Sequence, residues 1–212
     1  MTRQLRVLGV DPGLTRCGIG VLDGPAARPV LVDATCVRTD RDLPHEQRLL
    51  AVHDAIVAAI ETHGPDVVAV ERVLFSVNVR TAMATGQAAG VALLAAARAG
   101  APVHAYSPSE IKLTVAGSGT ADKAAMGRLV SAQLGVATVP GPADVADALA
   151  VALTHLARSR LPAVAASTPA AAALADAEAS AARARRGGWE AVLADRAAVG
   201  SRPDRAGRRS VP

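Results

Sequence analysis

The chain of 212 residues has only three aromatic side chains, Phe75, Tyr106 and Trp189, so its interior must be built from Ala, Val, Leu and Ile. Two cysteines, Cys17 and Cys36, are too few for a disulfide framework. They stand at the ends of a candidate hairpin where they can face each other, as a reduced pair in the cytosol. No unbroken apolar run reaches about 18 residues, which excludes a membrane span. The opening residues, Met1 to Arg6, lead into a strand pattern rather than the apolar stretch of a signal peptide. A cytoplasmic chain is expected. Lysine is nearly missing as well: Lys112 and Lys123 are the only two among 23 basic residues.

The charge is unevenly placed. Up to Ala157 there are 13 basic residues against 14 acids, and from Arg158 onward 10 arginines against 5 acids, so the excess of +4 resides in the last 55 residues. That segment is rich in Ala, Arg, Gly and Pro and has few core-forming side chains. Residues 158–212 are expected to be largely disordered or loosely helical, with a helix possible around 168–200. Such a tail either adds salt-sensitive affinity for nucleic acid or reflects compositional drift.

Residues 1–157 carry the globular domain. Arg6-Val7-Leu8-Gly9-Val10 reads as a strand stopped by Pro12-Gly13, with the Asp11 carboxylate at its end. Residues 17–22 and 30–37 read as two more strands, joined by Asp23-Gly24-Pro25 in an antiparallel meander. Residues 46–63 have helical periodicity, with Leu49, Leu50, Val52, Ile56, Val57 and Ile60 on one side. A buried strand at 67–70 delivers Glu71. A helix over 79–99, a strand over 103–106 and helices over 121–134 and 143–157 complete an α/β pattern: a mixed five-stranded sheet flanked by helices.

Four carboxylates carry the candidate chemistry. Asp11 and Glu71 end strands, where sites collect in open α/β sheets. Asp144 and Asp147 are three apart on one helix and share a face. Each has a bland reading: a turn former for Asp11, a helix-start acid for Asp144. Asp147 is harder to dismiss, because it lies in the apolar run Val145-Ala146-Asp147-Ala148-Leu149, where an unpaired carboxylate is costly to bury. Four converging acids call for a hard cation such as Mg²⁺. Two such ions about 3.5–4 Å apart can hold an attacking water and a departing 3′ oxygen in line.

Leu8-Gly9-Val10-Asp11-Pro12-Gly13, Leu43-Pro44, Val70-Glu71-Arg72-Val73, Gly86-Gln87-Ala88-Ala89-Gly90, Gly117-Ser118-Gly119 and Ala143-Asp144-Val145-Ala146-Asp147-Ala148-Leu149-Ala150, followed by Thr154-His155, occur in this order. Together they resemble the RuvC family of crossover (Holliday) junction endodeoxyribonucleases, over about residues 5–157. The resemblance implies a ribonuclease-H-like fold and a homodimer that binds four-way junction DNA. It also implies Mg²⁺-dependent symmetric nicking of two strands of like polarity, leaving ligatable ends. Mn²⁺ is expected to substitute for Mg²⁺, and the RuvA–RuvB branch-migration complex is the implied partner. The family's acidic set maps onto Asp11, Glu71, Asp144 and Asp147.

Lys112 and Lys123 fall where the family pattern places basic residues near DNA, and a chain that otherwise uses arginine is expected to keep lysine where a compact ammonium is needed. They are expected to contact the scissile phosphate or its neighbour; the bland alternative is two solvated lysines. Where relatives carry an aromatic pair, this chain has Leu74 and Phe75. Phe75 fits either stacking on a base or a core position. Asn78 and Arg80 are candidate phosphate contacts. Gly86 and Gly90 on the 79–99 helix allow close approach of the sheet or of a second copy. None of the five histidines has zinc-like spacing, and His155 is the one worth mutating. The competing readings are another ribonuclease-H-like nuclease acting on RNA or hybrids, and a junction-binding protein without cleavage. An actin-like kinase, suggested by Asp11-Pro12-Gly13-Leu14-Thr15, needs two large lobes for which 157 residues are too few.

Overall fold

The computed structural model describes residues 4–72 and 79–159, all within the compact unit Met1–Leu161. Phe75, Leu74, Asn78 and residues 160–212 of the basic tail lie outside the described residues. The described elements are β1 (Arg6–Asp11), β2 (Arg16–Asp23), β3 (Val30–Arg38), α1 (His45–His63), β4 (Val67–Glu71), α2 (Val79–Arg98), β5 (Val103–Tyr106), α3 (Pro108–Ala116), α4 (Lys123–Leu134) and α5 (Ala143–Arg158).

They form one mixed sheet in the order β3-β2-β1-β4-β5. β1, β2 and β3 make the expected antiparallel meander. β4 and β5 add in parallel beside β1. Alternation along β1 sorts the core into two layers. Leu8 and Val10 face Val52 and Ile56 of α1 and Ala92, Ala95 and Ala96 of α2. Val7 faces the other layer, where α3, α4 and α5 pack. On α1 the apolar stripe is narrower than its periodicity suggests: Val52, Ile56 and Ile60 are buried, whereas Leu50 is 57% exposed.

α5 lies directly on the sheet. From Ala148 to His155 every side chain is buried, and three glycines make room for it. A methyl group on Gly9 would meet the Ala148 carbonyl, and one on Gly18 would meet the Asp144 carbonyl. On Gly20 it would come 2.6 Å from the Leu149 side chain. The backbones touch because these strand residues have no Cβ.

α3 is an element that periodicity alone does not reveal. Pro108 looks like a breaker, yet it occupies the first turn, where its missing N–H costs nothing. Ser107 and Glu110 form a reciprocal capping box ahead of it. The two cysteines occupy the same end of the hairpin but opposite faces: Cys17 lies in the α1/α2 layer and Cys36 against the α5 layer. They do not face each other as expected, because Cys17 pairs with Val37 and Cys36 with Gly18.

Candidate active site

Parallel register places Val10 beside Val70, so Asp11 and Glu71 emerge side by side at the ends of β1 and β4. Both follow residues of the α1/α2 layer and therefore turn toward α5. There the first turns of α5 present Asp144 and Asp147. The four acids named from sequence thus come from three elements to one edge of the sheet.

Their mutual repulsion is evident. Burial, then Glu71, Asp147 and Asp144, push the Asp11 carboxyl up to about 8, against the partial relief of Lys123. Burial and Asp147 likewise raise Glu71. Two cations answer this charge. Lys123 Nζ lies 2.7 Å from Asp147 Oδ2, and this bond raises the lysine's own pKa. Arg16 Nε lies 3.1 Å from Asp144 Oδ2. Lys112, on α3, joins Lys123, Glu71 and Asp147 around a cavity of about 190 Å³. Arg80 is exposed on the first turn of α2 and makes no ion pair with the site carboxylates.

The sequence reading missed Arg16, since a lone arginine at a strand start has no pattern of its own. It also missed Tyr106 as a neighbour of the site. Tyr106 pairs in register with Glu71 and is hydrogen-bonded through its hydroxyl to His155 Nδ1 at 2.8 Å. Burial and His104 push His155 down to about 4, so the imidazole is neutral.

Among the described residues no three His, Cys, Asp or Glu side chains already surround one point as a metal cage, because Asp144 and Asp147 lean to their cations. The donor set nevertheless fits a hard cation: it is all oxygen and anionic, and Asp11 gains from any positive charge beside it.

The family model described as crossover junction endodeoxyribonuclease RuvC matches residues 7–155, which hold all four acids. The chain belongs to the RuvC family. A relative of that description from Nocardioides sp. is 51% identical over 155 residues, covering 73% of this chain and 88% of its own length. One from Leifsonia xyli is 43% identical over 206 residues, covering 96% of this chain and 99% of its own length. Among solved structures, Thermus thermophilus RuvC in complex with a Holliday junction substrate superposes with a TM-score of 0.71 at 36% identity, covering 74% of this chain and 96% of that one. The sheet and its helices are accordingly the ribonuclease-H-like fold that the resemblance implied. The protein is a crossover junction endodeoxyribonuclease, a Holliday junction resolvase of a metal-dependent nuclease family. No helix of the described residues is long and apolar enough to cross a membrane.

Proposed function

We propose that Asp11, Glu71, Asp144 and Asp147 hold Mg²⁺, two ions per site with Mn²⁺ able to substitute, and that this centre nicks a four-way DNA junction. The convergence of four acids carries the reading: an Asp11 carboxyl pushed up to about 8 has no use in a protein that only binds an anion. A divalent cation held by these carboxylates would supply Lewis-acid chemistry, making water a better nucleophile and drawing charge from the phosphate. Water oxygen adds to phosphorus and gives up a proton to solvent, the bond from phosphorus to the 3′ oxygen breaks, and that oxygen takes up a proton, so the products are a 5′-phosphate and a 3′-hydroxyl. Lys112 and Lys123 direct ammonium groups at the non-bridging oxygens from the side of the cavity and stabilise charge as it develops. They also offset the repulsion between four carboxylates and a polyanion. Phe75 and Asn78, between β4 and α2 in the sequence, and Arg80, on the first turn of α2, are proposed as DNA contacts, Phe75 by stacking on a base.

A homodimer matches the approximate two-fold symmetry of a junction. α2 supports it: Val79, Met83, Leu93 and Leu94 are 44–68% exposed, and a methyl on Gly86 or Gly90 would meet nothing within 4 Å. These glycines therefore do not serve packing against the sheet. Residues 158–212 would add sequence-independent affinity, and cooperation with the RuvA–RuvB complex is inferred from the family alone.

The decisive experiment incubates the purified chain with a synthetic mobile junction, with and without Mg²⁺, and maps nicks on all four strands. Symmetric nicks on two strands of like polarity, only with the metal, are expected. Preferred hydrolysis of an RNA–DNA hybrid in competition would overturn the reading.

A further inference from the structure

We propose that the arginines at the β2–β3 end of the sheet, Arg16, Arg38 and Arg41, form a second phosphate-binding groove. It would take the DNA backbone on the side of the carboxylates opposite the lysines. This rests on the nuclease reading and extends it to the path of the strand.

The sheet order fixes the sides. At one edge of the sheet lie, in sequence across it, Arg38 of β3, Arg16 of β2, Asp11 of β1, Glu71 of β4 and Tyr106 of β5. Lys112 and Lys123 belong to helices that follow β5, so they flank the acids on one side and the arginines flank them on the other. α5 shows the same polarity at atomic distance, with Asp147 on Lys123 and Asp144 on Arg16. From β3 to β5 the edge spans about 19 Å at the usual strand spacing, room for several backbone phosphates.

The groove is built rather than incidental. Its open volume is about 510 Å³, with Thr15 and Thr39 in its lining beside the arginines. Thr39 N–H donates to the Thr15 carbonyl at 3.2 Å and its hydroxyl to the Leu14 carbonyl at 2.5 Å, locking the turn after Asp11 to the end of β3. Half-buried Arg48 of α1 donates to both threonine hydroxyls at 2.9 Å. Among the described residues no carboxylate pairs with Arg38, Arg41 or Arg48. Two acids, Asp40 and Asp42, also line the groove. Asp40 accepts a hydrogen bond from the Asp42 N–H at 3.0 Å and so turns one oxygen to its own loop. Three guanidinium groups line the groove and Arg48 adds a fourth behind its threonines, against Asp40, Asp42 and the Asp144 that pairs with Arg16, so the local balance stays positive by one charge. A phosphodiester supplies non-bridging oxygens that guanidinium groups bind well.

The test compares the full wild-type chain with the double variant Arg38→Ala/Arg41→Ala, neither residue being in the catalytic centre. Junction affinity is measured in EDTA across a series of salt concentrations. Two lost phosphate contacts should weaken binding about 10–100-fold at moderate salt and reduce the slope of log K against log salt by about 1.8. Single-turnover nicking at saturating protein with Mg²⁺ should stay within about twofold of wild type. Arg38→Lys/Arg41→Lys should keep the wild-type slope, since the slope counts charge. If wild type binds the junction and the alanine pair matches it in affinity and slope, the groove is not a phosphate site. Loss of slope in the lysine pair would overturn its electrostatic origin. A wild-type chain without preference for a junction over linear duplex would instead defeat the reading of the four-way junction as the substrate.

Discussion

Asp11 sits where three other acids and burial all act against its charge. Its native pKa of about 8 lies above the ordinary value, so between the two the folded chain holds a proton that the unfolded chain has lost. Stability therefore declines as pH rises through that window. In EDTA, thermal unfolding of wild type should fall in Tm from pH 5 to 8.5, and Asp11→Asn should flatten that decline by removing the group. The same variant should bind the junction and fail to nick it, as read by gel shift and by strand mapping; retained cleavage in a clean preparation would remove Asp11 from the mechanism. Asp11, Glu71 and Asp147 were legible in the sequence because each breaks a local pattern, the first two by ending apolar strands and the third by interrupting an apolar helix; Asp144, a helix-start acid on its own, was legible only through its spacing of three from Asp147. Arg16 was not legible, because its significance is a distance to Asp144 that no local pattern encodes.

Among the elements, α5 decides the geometry of the site, and its seat is made by glycines on β1 and β2. Gly18→Ala would drive a methyl group into the Asp144 carbonyl, which is main chain and cannot step aside. Overpacking of this kind costs about 1–3 kcal/mol. Denaturant unfolding should show that loss, and nicking should fall further than stability because Asp144 moves with its backbone. The far end of α5 is tied down by Tyr106 and His155, whose hydrogen bond links it to the strand beside Glu71. From there Arg158 lies over the Tyr106 ring and reaches Glu110 at 2.7 Å, the acid that caps the helix of Lys112. Tyr106→Phe keeps the ring and strands the buried imidazole, at a cost of about 1–3 kcal/mol. Its nicking rate at saturating protein should drop several-fold with junction affinity unchanged, a split that kinetics under single-turnover conditions will read. Strands and long helices followed from periodicity in the sequence; α3 escaped because its signal is a cap, Ser107 to Glu110, rather than an apolar stripe.

Among the described residues, the face of α2 that carries Val79, Met83, Gly86, Gly90 and Leu94 is an exposed apolar stripe that the fold does not cover. Met83→Glu/Leu94→Glu should convert a dimer into a monomer by sedimentation analysis and uncouple the two nicks, leaving singly nicked junctions as the main product. The sequence left open whether the small residues of this helix meet the sheet or a second copy. The structure divides them: Ala88, Ala92, Ala95 and Ala96 are buried, whereas Gly86 and Gly90 stand clear. Composition had the same double meaning in the interior, where an almost aromatic-free core says little about shape. Because α5 rests on the sheet at Gly9 and Gly18 by main-chain contact, the distance between its acids and those of the strands is set at glycines and not by the volume of apolar side chains. An interior built almost wholly of alanine and branched aliphatic side chains can therefore exchange one for another, away from those glycines, while the acids keep their spacing.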